Sequence, residues 1–349
     1  MILILTFLFN AEKSKGQPNP IPIGIDTTFN TFRGIEEFNS ARNNVIQPDG
    51  KVIIVGSFNY YQYHQVGKIV RTNPDGSYDA SYKIGTGANN TISEIGIQTD
   101  GKIIIAGQFS SFNGNSANQI ARLNTDGSFD SSFLIGIGMN NIGSVYDIQI
   151  QPDGKILVAG SFVEYNGTPA LNIIRLNSDG TLDPSFSSGS GTVGTITEIE
   201  LAPSGEIYIG GIFSSYNGIT VPCLARLNTN GTLGNSFNPG PIAYSFTPST
   251  SCIKLQTNGK IIVSGYFNSF NGITRNKIAR FNTDGTIDIS FNPGTGPSNE
   301  IFTIAIQTDG KLLIGGNFIT YNSSSRRYFA RLNIDGTIDN TIFNVCLLY

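Results

Sequence analysis

One stretch of the sequence, "IQPDGKVIIVGSF" from Ile46 to Phe58, occurs six times with small changes. The later copies are "IQTDGKIIIAGQF", "IQPDGKILVAGSF", "LAPSGEIYIGGIF", "LQTNGKIIVSGYF" and "IQTDGKLLIGGNF". The glycine of its turn recurs every 51 to 54 residues, at Gly50, Gly101, Gly154, Gly205, Gly259 and Gly310. A fixed period of this kind indicates that each copy is one structural repeat. Six copies cannot be six active sites of one enzyme, so we expect function to lie where the copies differ.

The internal spacing of the repeat predicts four short strands. A second turn glycine follows the first by 26 residues in every copy, at Gly76, Gly127, Gly180, Gly231, Gly285 and Gly336. In the second copy the strands are predicted as "ISEIGIQ", "KIIIAGQF", "NQIARLN" and "SFDSSF". The second strand is almost entirely apolar, as expected where both faces of a strand are buried.

The turns between these strands predict a charge pair in most repeats. Q-P-D-G and N-P-D-G suit a type I turn followed by a left-handed glycine in a bulge. This hairpin geometry places an arginine opposite an aspartate, and such cross-strand pairs contribute up to ~1 kcal/mol each. The fourth copy differs, because Arg226 faces Gly234. The predicted pairs are Arg71–Asp79, Arg122–Asp130, Arg175–Asp183, Arg280–Asp288 and Arg331–Asp339.

Six repeats of four strands predict an all-β protein, a six-bladed β-propeller of four-stranded antiparallel blades. A β-solenoid is the alternative, but solenoid repeats are usually shorter. Pairs of a small residue and a glycine, such as Ala106-Gly107, are expected to let neighbouring sheets approach closely. We expect an apolar or extended segment at 1–24 and one propeller domain at 25–349. The predicted blades lie near 40–82, 92–133, 144–186, 195–237, 250–291 and 300–343.

Two sequence elements recur along this chain, I-Q-x-D-G-K-[IV]-x-x-x-G-x-F and [AV]-R-x-N-x-D-G-[ST]-x-D-x-[ST]-F. These elements resemble the delta-60 repeat propellers of secreted bacterial proteins and some phage proteins. The resemblance covers nearly the whole chain from Ile46 to Phe343 and holds in register six times. It implies a propeller in an extracellular, cell-surface or virion setting. It implies no reaction and supplies no catalytic residues.

Composition excludes several classes of function. The net charge of -3 and a pI near 5.3 argue against a nucleic-acid-binding surface. No segment approaches the ~18 apolar residues that span a membrane. The three cysteines lack metal-ligand spacing, and N-x-D-G-x-x-D runs are better explained as turns than as calcium loops. With one histidine and no visible set of nucleophile and base, we predict no catalytic residues, no metal, no cofactor and no enzymatic activity.

The most informative difference between copies is in the first repeat. Where other copies have F-x-x-[FY]-N-G, the first has "FNYYQYHQVG". Tyr61 occupies the repeated aromatic position and is explained by packing, whereas Tyr60, Tyr63 and His64 are additional. Tyrosine has a flat apolar face and a polar tip, which suits sugar rings or a protein partner. We predict a binding site here, although a locally packed loop is the alternative.

A second predicted binding loop is the longest connection between repeats, "NPGPIAYSFTPSTSC" from Asn238 to Cys252, which contains Tyr244 and Phe246.

The favoured function is a binding or adhesion module that presents such loops to a glycan or protein. A structural assembly subunit is the second hypothesis, because the strand signature "DTTF" at 26–29 is one copy too many and residues 1–30 could dock on a neighbouring subunit. A secreted carbohydrate-active enzyme is the third. The opening "MILILTFLFN" fits either a degenerate export signal or a buried strand.

Overall fold

The computed structural model of the chain describes residues 34–35, 40–139, 143–244 and 247–341. These residues form strands and turns without any helix, which confirms the all-β prediction. Accordingly, no helix in this part of the chain is long and apolar enough to cross a membrane. The predicted segment at 1–24 and the additional strand signature at 26–29 lie outside the described residues.

The chain divides into two compact units. The first comprises Met1–Ala170 with Ile174–Asp183, and the second comprises Leu171–Ile173 with Pro184–Tyr349. Each unit contains three repeats. The domain boundaries predicted from the sequence, 25–349 for one propeller and the six ranges for its blades, stay a prediction.

The first unit contains strands β1 to β15, apart from the first residue of β15. The first repeat has three longer strands and a short hairpin, as β1 (Ala41–Ile46), β2 (Val52–Gly56), β3 (Tyr60–Tyr61), β4 (His64–Gln65) and β5 (Ile69–Thr72). The second and third repeats continue with β6 (Ile92–Ile97), β7 (Ile103–Gly107), β8 (Ser111–Phe112), β9 (Asn115–Ser116), β10 (Ile120–Leu123), β11 (Val145–Ile150), β12 (Ile156–Gly160), β13 (Glu164–Tyr165), β14 (Thr168–Pro169) and β15 (Ile173–Leu176).

The second unit repeats this order with two differences: the first and second strands of the fourth repeat are each 10 residues long, and the long connecting loop adds one strand. Its strands are β16 (Thr192–Leu201), β17 (Ile207–Tyr216), β18 (Ile219–Thr220), β19 (Leu224–Leu227), β20 (Ile242–Ala243), β21 (Ser249–Leu255), β22 (Ile261–Tyr266), β23 (Ser269–Phe270), β24 (Ile273–Thr274), β25 (Ile278–Phe281), β26 (Ile301–Ile306), β27 (Leu312–Gly316), β28 (Thr320–Tyr321), β29 (Ser324–Ser325) and β30 (Phe329–Leu332).

Every repeat has the same antiparallel sheet order, shown by β1-β2-β5 and β6-β7-β10. The predicted fourth strand is present as a single bridge, such as that between Thr72 and Tyr78. It is short because the chain turns again at once: Asp79 accepts hydrogen bonds from the Ser81 amide (3.0 Å) and, through its carbonyl, from the Tyr82 amide (3.2 Å). The first strands of successive repeats pack beside one another, β1 with β6 and β6 with β11 in the first unit, and β16 with β21 and β21 with β26 in the second.

The small-residue pair of the second strand has two separate packing roles. Gly210, the first member in the fourth repeat, faces the next sheet, since a β carbon there would lie 2.5 Å from Cγ2 of Thr250. The second member faces its own sheet: a β carbon on Gly107 would lie 2.4 Å from the carbonyl oxygen of Thr91. The first strand bulges opposite this glycine, between Ile92 and Glu94. The expectation that these pairs let neighbouring sheets approach closely therefore holds for the first member, as at Gly210, whereas the second member contacts its own sheet.

Apolar side chains from the sheets form the cores. In the first unit they make one continuous cluster, and in the second unit they make two. The repeated phenylalanine after the second strand is almost completely buried in all six repeats, as Phe58, Phe109, Phe162, Phe213, Phe267 and Phe318.

The predicted arginine–aspartate pairs are larger ion networks than the sequence suggested. In the second repeat, Oδ2 of Asp130 accepts hydrogen bonds from Nε of Arg122 (2.6 Å) and Nζ of Lys102 (2.8 Å). Its Oδ1 accepts from the amide and the hydroxyl of Ser132. The lysine was missed because it lies 28 residues before the aspartate, at the start of the second strand.

Candidate functional site

The predicted aromatic loop of the first repeat is the hairpin β3–β4, closed by a turn at Gln62 and Tyr63. Both residues have positive φ, 46° and 66°. Two-residue hairpin turns of type I′ require this conformation, which favours Asn-Gly. The equivalent turns have Asn-Gly at Asn113-Gly114, Asn166-Gly167, Asn217-Gly218 and Asn271-Gly272, and Asn-Ser at Asn322-Ser323. Tyr63 therefore holds a left-handed backbone that costs an L residue roughly 1–2 kcal/mol.

The hairpin presents its extra aromatic side chains to solvent. Tyr63 is 62% exposed and Tyr60 is 38% exposed. The ring of His64 is stacked on Tyr78, with centroids 4.0 Å apart and planes 11° apart. These four residues form the tyrosine hairpin surface. It combines flat apolar faces with phenol and imidazole hydrogen-bonding groups.

The base of the hairpin is fastened to the rest of its repeat. Nε2 of Gln62 donates to the carbonyl of Gly76 (3.2 Å), and its Oε1 accepts from the amide of Tyr78 (3.0 Å). The hydroxyl of Tyr61 donates to the same Gly76 carbonyl (2.7 Å), and burial raises the pKa of Tyr61 to about 12. Tyr61 is thus a packing residue, as expected. Sequence reasoning missed Gln62 because it resembles an ordinary polar loop residue, and it missed Tyr78 because this residue lies in the fourth strand and not in the hairpin.

The second predicted loop is only partly described. Tyr244 is 54% exposed and follows β20, which pairs with β23. Phe246 lies outside the described residues. Tyr244 belongs to the second unit and the tyrosine hairpin surface to the first, so we treat them as separate candidates.

A group of titratable side chains in the second unit was missed by the sequence reasoning. Nζ of Lys254 lies 3.4 Å from Oε1 of Glu198 and 3.4 Å from Oε2 of Glu200. Burial raises the pKa of Glu198, although the charge of Lys254 opposes the shift. The nearby thiol of Cys252 is no ready nucleophile, since burial raises its pKa to about 12. Within the described ranges, no group of three or more His, Cys, Asp or Glu residues could hold a metal ion.

Replacing Lys254 by methionine is expected to destabilise the protein at pH 7 by about 1–2 kcal/mol, because two partly desolvated carboxylates then lack their cation. A carboxyl with a raised folded-state pKa favours folding most when it is protonated. The loss should therefore shrink as the pH falls from neutral towards the usual pKa of glutamate. Urea unfolding at pH 7 and pH 5 measures this.

Lys83→Met is the matched control for Lys254→Met, because Lys83 forms an exposed ion pair with Asp126. Exposed pairs contribute 1 kcal/mol or less. A pH-independent loss in Lys254→Met would show that packing of the lysine side chain, not charge, explains the effect.

Comparison with known proteins places the repeats in a family. A family model described as "Domain of unknown function (DUF5122) beta-propeller" matches residues 47–82, 98–133, 151–186, 202–237, 256–291 and 307–341. These matches cover more than half of the chain and all six predicted repeats, and they confirm the β-propeller prediction. A comparison with curated proteins found no match.

Several solved structures are similar to the chain. A catalytically inactive virginiamycin B lyase from Staphylococcus aureus, crystallised with quinupristin, is 19% identical over 86% of this chain and 83% of that one, with a TM-score of 0.46. A gluconolactonase from Xanthomonas campestris is 12% identical over 81% and 84%, with a TM-score of 0.45. An ancestral GH74 enzyme is 13% identical over 81% of this chain and 35% of its own, with a TM-score of 0.48.

These similarities contradict the prediction that the chain is not an enzyme. That prediction took the repeat scaffold and the lack of a catalytic motif as grounds to exclude catalysis. The lyase, the gluconolactonase and the GH74 enzyme show that similar folds do carry out reactions. At 12–19% identity the similarity concerns the fold, and it assigns no activity to this chain.

Proposed function

Because the chain belongs to the DUF5122 beta-propeller family, we propose that it is a binding module whose tyrosine hairpin surface recognises a sugar ring of a glycan. The observation that carries the proposal is Tyr63, an exposed aromatic residue at a left-handed turn position where four of the five equivalent turns have glycine and the fifth has serine. Strained residues of this kind cluster at functional sites. The hydrogen bonds at the base of the hairpin would hold the aromatic rings of the tyrosine hairpin surface in position before the glycan binds.

A glycan suits this surface better than a protein does. Stable protein interfaces need roughly 800 Å² from each partner, which a two-residue turn with neighbouring rings does not supply. A sugar ring has an apolar face that can lie on a tyrosine ring, and its hydroxyls can bond to phenol and imidazole groups. By the same contact between a sugar ring and the tyrosine hairpin surface, the module would adhere to a surface that carries the glycan.

The setting we propose is extracellular, on a bacterial surface or on a phage particle. The resemblance of the repeats to delta-60 propellers of secreted bacterial and phage proteins supports it. An exposed aromatic surface that binds glycans would meet its ligand in such a setting.

Tyr63→Gly separates binding from folding. The variant is expected to bind its glycan about tenfold more weakly, because it loses a stacking face. Its free energy of unfolding should rise by up to about 1 kcal/mol, because glycine adopts positive φ without strain. Wild-type protein would be screened against a panel of neutral and acidic oligosaccharides. The best binder would then be titrated calorimetrically into both forms, and urea unfolding would give their stabilities.

The matched control is Ser323→Gly, at the equivalent turn of the sixth repeat, where φ is 63°. It makes the same backbone change without removing an aromatic ring, so it should raise stability and leave glycan binding unchanged. Equal affinity of wild type and Tyr63→Gly for every oligosaccharide bound would refute the proposed function.

A further inference from the structure

Five repeats show how this fold holds a carboxylate group. In the fifth repeat, Oδ2 of Asp288 accepts hydrogen bonds from Nε of Arg280 (2.6 Å) and Nζ of Lys260 (2.8 Å). Its Oδ1 accepts from the amide (3.0 Å) and the hydroxyl (2.7 Å) of Ser290. The arginine, the lysine and the serine thus surround both oxygens of a planar acceptor. Charge-assisted bonds of this kind are about twice as strong as neutral ones.

The fourth repeat keeps this arrangement but has no carboxylate in it. Gly234 stands where the other repeats have aspartate, and its amide still donates to the carbonyl of Arg226 (2.8 Å), as the amide of Asp288 does to Arg280 (2.8 Å). The sequence alone showed this substitution. The structure adds that the strand pairing around Gly234 is unchanged.

The guanidinium of Arg226 has the same position as its counterparts. Its Nη1 donates to the carbonyl of Thr283 (3.0 Å), as Nη1 of Arg280 donates to the carbonyl of Ile334 (2.6 Å). Its Nη2 donates to the hydroxyl oxygen of Ser236, and its Cζ lies 5.6 Å from the centre of the Phe237 ring. The two hydrogen bonds and the Phe237 ring therefore hold the guanidinium of Arg226 in this orientation although no aspartate is present.

Three donors that meet a carboxylate in the other repeats have no acceptor within the described part of the fourth repeat. They are Nε–H of Arg226 and the amide and hydroxyl hydrogens of Ser236. Arg226 is half-buried, whereas Arg280 is only 5% exposed. A ligand could therefore reach the guanidinium from solvent.

Glu206 limits the charge of what can bind. It stands at the position of the lysine in the other repeats, and its carboxylate accepts from the hydroxyl of Ser204. That hydrogen bond is the main cause that lowers the pKa of Glu206, and the charge of Arg226 contributes. A negative neighbour disfavours dianions such as phosphate more than a monoanion.

We propose that the fourth repeat binds a monocarboxylate group at Arg226 and Ser236, in the position that an aspartate side chain occupies in the other five repeats. One ligand oxygen would accept from Nε of Arg226. The other would accept from the amide and hydroxyl of Ser236. The site lies in the second unit and does not depend on the tyrosine hairpin surface, so either proposal can fail alone.

The test is a titration of the ¹⁵N-labelled full chain with sodium acetate, at ionic strength held constant with sodium chloride. The Nε–H signal of Arg226 and the amide signal of Ser236 should shift and saturate, with a dissociation constant of about 1–50 mM. Sodium phosphate should give a smaller shift. Sodium glucuronate, used as a second probe, should shift the same signals if a carboxylate on a larger molecule can enter.

Variants of the fourth repeat show whether the carboxylate binds at this position. Gly234→Asp supplies an internal carboxylate and should abolish the response to acetate. Asn235→Asp is the matched control, because it adds the same charge at the neighbouring exposed position and should retain the response. Glu206→Gln should lower the dissociation constant about twofold to fivefold. Shifts that are linear in acetate, or that persist in Gly234→Asp, would overturn the proposal.

Discussion

Asp130→Ala is expected to lower the free energy of unfolding by about 3–5 kcal/mol at pH 7. Asp130 joins Arg122 and Lys102, and the side chains of Asp130 and Arg122 are 7% and 8% exposed. Removing one member of a buried ion pair is strongly destabilising, because the remaining charge stays buried without its partner. Urea unfolding of both forms, followed by fluorescence or circular dichroism, measures the difference.

The pH dependence of this loss tests its cause. Burial opposes ionisation of Asp130, but hydrogen bonds from Lys102, Ser132 and Arg122 outweigh burial and hold its pKa well below the usual range. Because the pKa of Asp130 is lower in the folded state than in the unfolded state, its carboxylate stabilises the fold at pH values above the usual aspartate pKa. This stabilisation is lost as the pH falls through the lowered pKa of the folded state. The difference between Asp130→Ala and wild type should therefore shrink below about pH 4.

Asp126→Asn is the control for Asp130→Ala in the same hairpin. Asp126 has a 41% exposed side chain, and the fourth repeat has asparagine at the equivalent position, Asn230. A loss below about 1 kcal/mol is expected, since its ion pair with Lys83 is exposed. Equal losses from Asp126→Asn and Asp130→Ala would contradict the assignment of Asp130 as a buried structural charge.

Gly107→Ala is expected to destabilise the protein by about 3 kcal/mol or more. The added methyl group would lie 2.4 Å from the carbonyl oxygen of Thr91 and 2.8 Å from the amide nitrogen of Ser93. Both are backbone atoms, one in the paired strand β6 and one in the residue directly before it. The clash therefore cannot be relieved by a change of rotamer, and overpacking in a rigid region is costly. Thermal and urea unfolding would report the loss.

Gly114→Ala tests whether the clash or the loss of a glycine matters. Gly114 has φ of 78°, but a β carbon there meets no atom within 4 Å. This variant should lose only about 1–2 kcal/mol, from backbone strain alone. A Gly107→Ala variant as stable as Gly114→Ala would show that the first strand can move away from the glycine.

The sequence predicted the repeat, the strands and the cross-strand pairs because these depend on contacts between residues close in the chain. Turn glycines, apolar runs and the spacing of Arg122 and Asp130 are all local signals. The same local comparison found Tyr63 and the substitution at Gly234, since each departs from five aligned copies. Differences between copies were thus the strongest signal for both candidate sites.

Features that depend on atoms distant in the chain were predicted incompletely. The packing role of Gly107 was attributed to the neighbouring sheet, although the contact is with a bulge 16 residues earlier in its own sheet. Lys102 was missed as the third member of the Asp130 network. The group of Glu198, Glu200 and Lys254 was missed because two strands of different repeats bring it together.

The amino-acid sequence by itself determined the all-β propeller repeat, because a pattern of strand and turn residues repeated six times permits few other folds. Only the tertiary structure decided which donors converge and which rings are exposed. It showed Tyr63 in a left-handed turn with its ring in solvent, and Arg226 held in position beside Ser236. The physical reason is that strand formation depends on local periodicity, whereas a site depends on distances across paired strands, which periodicity does not specify.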